Sequence, residues 1–169
     1  MKFDAFMRPK HNAVFLYVVL WSTLVACSQS APAAALPEAV RDVVKSERFQ
    51  LVTSIRGMPI GVRDGLQTLF ATETLDIAES SSAFQVDDMI VNPTLKTRRL
   101  IASWCSIEYC LVHYERGGSA HTFHVALFHW TPSATRFVWG GAAPGRLVTI
   151  DEIRNAIMSG AIEQPAPFW

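Results

Sequence analysis

The sequence predicts an α+β domain: an antiparallel β-meander of about four to six strands, with two or three helices packed at one face or one end. Two observations carry that reading. From Arg98 to Gly140, the runs "RRLIASWC", "YCLVHYER", "SAHTFHVALFHW" and "TRFVWG" are rich in aromatic and β-branched residues. Short turn segments separate them: "SIEY", Gly117-Gly118 and "TPSA". Outside this block, the segments around Val40–Val44, Val62–Phe70 and Ile150–Ile157 space their apolar residues at helical intervals.

In chain order, Pro37-Glu38-Ala39 suits a helix start, and Val40, Val43 and Val44 follow on one face. "RFQLVTSIR" alternates Phe49, Leu51, Thr53 and Ile55, which reads as a strand broken by Gly57 and Pro59. "VRDGLQTLFATE" places Val62, Leu66, Leu69 and Phe70 on one side of a helix that Gly65 weakens. "TLDIAESSSAFQVDDMIV" reads as two short strands around the Ser80-Ser81-Ser82 turn, closed by Asn92-Pro93. In the meander, Gly117-Gly118 is a two-residue hairpin signal, because both glycines accept positive φ. That turn sets Arg116 opposite Ser119, His113 opposite Thr122 and His124 opposite Leu111. A final helix carries Ile150, Ile153, Ala156, Ile157 and Ile162 on its apolar face, capped by Thr149 or Asp151 and ended by Gly160.

The N-terminus has the layout of an export signal. Lys2, Arg8 and Lys10 give a positive segment, and Ala13 to Ala26 an apolar one. A permanent span needs roughly 20 apolar residues, and this run stops short at Cys27. Leu24-Val25-Ala26-Cys27 resembles the lipobox of bacterial lipoprotein precursors. The resemblance implies cleavage before Cys27, a diacylglyceryl group on its thiol and an acyl chain on its new amino terminus. Two or more chains, at about 0.8 kcal/mol per buried methylene, make anchoring stable. The chain then divides into a signal peptide (1–26), a lipidated cysteine with a flexible tether (27–37) and one α+β domain (38–169). A start at Met7 rather than Met1 would leave a more usual signal without altering the mature chain. Ser28 and Gln29 lack the aspartate that retains such proteins in the inner membrane, so the resemblance places the chain at the outer membrane, facing the periplasm. Lipidation takes Cys27 and leaves Cys105 and Cys110 as a disulfide pair suited to an oxidising compartment. Four intervening residues between β-like segments fit a structural staple; redox pairs favour two intervening residues at a helix start.

Composition narrows the function classes. Formal net charge is zero and charges of both signs are scattered, so no basic face predicts a nucleic-acid partner. There is no nucleophile-elbow serine, no phosphate-cradling glycine loop and no dinucleotide fingerprint, and no cofactor is expected. Asp87-Asp88 in a strand would point to opposite faces, and Asp151-Glu152 suits a helix start. His113, His121, His124 and His129 are four of the five histidines. The two-residue turn puts His113 and His124 on one face with Glu115, a weak metal candidate short of the three or four ligands zinc requires. The tip "ERGGSAH" is the candidate partner contact: Gly117 and Gly118 let backbone enter a cleft, and Glu115, Arg116 and His121 offer polar groups. Trp130 and Trp139 could stack on a glycan. The expected function is a membrane-anchored, non-catalytic binding or structural module with an envelope partner. One alternative is a periplasmic inhibitor or immunity-type lipoprotein acting on an envelope-degrading enzyme; another is a metal-dependent enzyme using the His113/His124 face.

Overall fold

A computed structural model describes residues 36–90 and 92–163 of the chain. Its elements are helix α1 (Glu38–Ser46), strand β1 (Gln50–Val52), helix α2 (Ile60–Phe70), strands β2 (Arg98–Cys105), β3 (Tyr109–Arg116), β4 (Thr122–Thr131) and β5 (Ala134–Ala143), and helix α3 (Ile150–Met158). The five strands form one antiparallel sheet in sequence order, as a meander requires. The α+β class is therefore as the sequence predicts.

Local signals explain the helix ends. Thr149 accepts the Glu152 N–H at 3.2 Å, while the Glu152 carboxylate accepts the Thr149 N–H at 2.9 Å, a reciprocal cap that starts α3. Proline precedes both α1 and α2, where its fixed φ suits a helix entry. The α2 helix ends at Ala71, which adopts φ 53° and lets its N–H reach the last-turn carbonyls.

The helices cover both faces of the sheet rather than one. On one side, Val40 and Val44 of α1 and Ile153, Ala156 and Ile157 of α3 pack with Ile101, Trp104, Leu111, Val125 and Leu127. On the other, Val62, Leu66 and Phe70 of α2 pack with Leu100, Val112, Tyr114, Ala126 and Phe128. Every residue from Cys110 to Glu115 is consequently buried, without the alternation of a half-solvated antiparallel strand. A bulge at Ile101 turns both Ile101 and Ala102 toward α1 and α3, while Leu100 faces α2.

Two expectations about connections are corrected. Residues 74–90 do not form two strands; Ala78 makes a single parallel bridge to Arg99, and the rest is an irregular strap. Because β1 covers β2 only from Ser103 to Cys105, the remaining outer edge of β2 is open to the strap. Ala78 donates to the Arg98 carbonyl at 2.9 Å and accepts from the Leu100 N–H at 2.9 Å. Asp76 accepts from the Thr97 N–H at 2.9 Å and pairs with Arg98 at 2.8 Å.

The second correction concerns the β3–β4 hairpin. Its closing pair is Arg116 and Thr122, so the loop is Gly117 to His121 and not the two-residue turn predicted at Gly117-Gly118. The three-residue change of register sets His113 opposite Val125 and Tyr114 opposite His124. Since side chains alternate across a strand, an odd change exchanges the faces on one of the two strands.

Gly117 serves a close approach. A Cβ there would stand 1.8 Å from the Gln85 carbonyl oxygen and 2.9 Å from the Val86 Cα. Its N–H donates to Thr97 at 3.1 Å, and the Gly118 N–H to Val86 at 2.7 Å. Gly117→Ala should therefore push the strap off the hairpin and destabilise the fold by about 1–2 kcal/mol. Gly145→Ala, where a Cβ meets nothing within 4 Å, is the control expected to change urea midpoints little.

Candidate functional site

The corrected register decides the fate of the histidines. His113 faces the α1/α3 layer and His124 the α2 layer, so they share no ligand. Buried His113 donates from Nδ1 to the His124 carbonyl at 2.8 Å and accepts the Leu147 N–H at Nε2, at 3.0 Å. Those two bonds define a neutral tautomer and occupy both nitrogens. Burial pushes the His113 pKa down to about 4, with the charge of Arg146 assisting and the carbonyl bond opposing. His124 is 2 % exposed, stacks on Tyr114 at 5.2 Å and places Nε2 at 2.9 Å from the Thr122 hydroxyl. Burial again pushes its pKa down to about 4, followed by the charges of Arg116 and Arg98. Among the described residues no three His, Cys, Asp or Glu side chains are grouped to hold a metal ion.

Of the candidate contact residues at the hairpin tip, Glu115 is turned inward and is 2 % exposed. Its Oε1 accepts from Arg99 Nε at 2.8 Å and from Arg146 at 3.4 Å, and its Oε2 lies 2.8 Å from His121 Nε2. Phe84 lies under the Arg99 guanidinium, 4.4 Å from its centre. Ser119 donates its N–H to Asp88 at 2.9 Å, and hydrogen bonding to Ser119 holds the Asp88 carboxyl below its usual range. Glu115 and His121 thus tie the tip to its own domain, while Gly117 and Gly118 admit the strap rather than project into solvent.

Cys105 and Cys110 are joined by a disulfide. They are direct cross-strand partners at the ends of β2 and β3, and the small loop they close limits the entropic gain to about 2 kcal/mol in the chain-entropy model. Cys27 lies outside the described residues, as do residues 1–26 and the tether up to residue 35. Among the described residues no helix is long and apolar enough to cross a membrane.

The two candidate stacking tryptophans separate. Trp139 is 5 % exposed within the α1/α3 core. Trp130, half-buried, lines a groove of about 560 Å³ between α2 and the β4–β5 turn. Gly61, Asp64 and Gly65 of α2 form one wall, and Ser133 and Thr135 are on the other. In sequence Gly65 reads only as a weakness in the helix, yet Gly61 and Gly65 lie four residues apart on one face. That spacing is the legible signal of a helix side stripped of side chains.

No protein-family model matches the chain, and no curated protein or solved structure is significantly similar to it.

Proposed function

We propose that the chain is a lipid-anchored protein of the cell envelope, held at the outer membrane and facing the periplasm, whose α+β domain binds a partner without catalysing a reaction. The observation that carries this reading is cysteine pairing. Cys105 and Cys110 take each other within the domain, leaving Cys27 as the odd thiol at the end of a lipobox-like segment. The non-catalytic part is supported by the histidines: the paired nitrogens of His113 and the burial of His124 serve the fold. The inhibitor reading through the hairpin tip draws no support from a tip whose glutamate is buried and whose glycines are packed against the strap.

Expression of the full chain in a Gram-negative host, with radiolabelled palmitate and membrane fractionation, tests the anchor. The wild type should carry label in the outer-membrane fraction, and Cys27→Ser should lose both label and membrane association. A wild type that takes up no label would overturn the anchor, and label confined to the inner membrane would overturn the sorting.

A further inference from the structure

We propose that the groove beside α2 is a binding site for a neutral sugar chain, with one pyranose ring laid on the carbon framework of Trp130. The inference rests on the binding-module reading above and gives it a ligand class.

The groove is built by the local sequence. Gly61 and Gly65 let β4 and β5 close against α2 at the groove's floor, since a Cβ at Gly65 would stand 2.9 Å from the Phe128 ring. Side-chain atoms of Thr135 occupy the space that a Cβ on Gly61 would need. At about 560 Å³ the groove falls in the range of small-molecule sites, roughly 300–1,000 Å³.

Its lining matches a sugar's two kinds of surface. A pyranose has a face of C–H groups and a rim of hydroxyls. Trp130 is half-buried while its indole nitrogen is fully buried and without a hydrogen-bond partner among the described residues, so the indole offers carbon rather than N–H to the groove. A flat apolar ring surface is what the C–H face packs against. For the rim, the Asp64 carboxylate and the Thr135 hydroxyl both line the groove, and neither makes a side-chain hydrogen bond to a described residue. Asp64 accepts only, whereas hydroxyls of Thr135 and Ser133 donate and accept, which suits a hydroxyl of either role.

The same lining argues against other ligands. Among the described residues that line the groove, Asp64 alone is charged, so no cation there neutralises a phosphate or a carboxylate. An extended peptide would pair along a strand edge, and of edge strand β5 the groove takes in just Ala134 and Thr135, too short a stretch for that mode.

The test uses the whole mature protein in a sugar-free detergent, titrated with chitotetraose and with cellotetraose, and read by calorimetry and by tryptophan fluorescence. At least one oligosaccharide should bind saturably in the millimolar range. Asp64→Ala and Trp130→Ala should each weaken binding about tenfold or more. Trp130→Phe should retain most of the affinity while losing the fluorescence response, which keeps the test open if Trp130→Ala misfolds. No saturable binding of either sugar, or unchanged binding in Asp64→Ala and Trp130→Phe with the fluorescence response intact, would overturn the site. Capture of a periplasmic protein on the groove, undisturbed by sugar, would overturn it as well. A protein that binds sugar but carries no lipid upholds the site and removes the anchor. A cleaved oligosaccharide upholds the site and removes the non-catalytic reading.

Discussion

Urea unfolding near pH 4.5 is expected to find the fold weaker by about 4–5 kcal/mol than near pH 7.5, from two histidines alone. His113 and His124 are held neutral, each with its pKa pushed from 6.5 down to about 4 by burial. In the unfolded chain they protonate at the ordinary value, so between about pH 6.5 and pH 4 the unfolded state binds more protons. Their contribution is therefore fully present above the unfolded pKa and is lost as pH falls toward the folded one. A tenfold difference in proton affinity between the two states is worth about 1.36 kcal/mol, and total stability is commonly only about 5–15 kcal/mol. Acid unfolding is accordingly expected near or before the lower end of the window. His124→Phe, which can keep the stack on Tyr114, should remove about one proton from the pH slope. A stability curve that is flat across the window would show that neither histidine is held neutral by the fold. An unchanged slope in His124→Phe would clear that residue alone.

The histidines also show why sequence locates elements better than registers. β2 and β3 begin and end where their composition says, because the turn between them is bounded by cysteines that must face each other. The helices likewise announce themselves through Val40 and Val44, then Val62, Leu66 and Phe70. Register is different. A strand buried on both faces reads as an almost unbroken apolar run, so "CLVHY" against "HVALF" pairs about equally well at several offsets. The glycine pair then favours a tight turn. Its actual role depends on Gln85 and Val86, more than thirty residues earlier in the chain, which no local pattern reveals. The groove is half legible: Gly61, Gly65 and Trp130 are visible in sequence, but their juxtaposition comes from packing α2 across β4 and β5.

Glu115→Gln is expected to destabilise the protein by about 2–3 kcal/mol, while Arg146→Ala should cost less than about 1 kcal/mol. The contrast follows from burial. The Glu115 side chain is 3 % exposed, so its charge has been taken out of water and depends on its partners. Arg99 supplies the best of them, a cross-strand guanidinium donating through Nε and Nη2 at 2.8 Å and itself 26 % exposed. Arg146 is 47 % exposed and stands at 3.4 Å, where water replaces it readily. Removing one member of a buried pair usually costs about 3–5 kcal/mol. The figure is lower here because the cations left behind reach solvent and the amide keeps one acceptor. The expected order in urea midpoints is Glu115→Gln below Arg99→Ala below Arg146→Ala, with strong non-additivity between Glu115 and Arg99 in a double-mutant cycle. If Glu115→Gln proves neutral, the carboxylate does not hold the tip. The hairpin would then be free to act as a contact surface, and the case against the inhibitor reading would lose its main support.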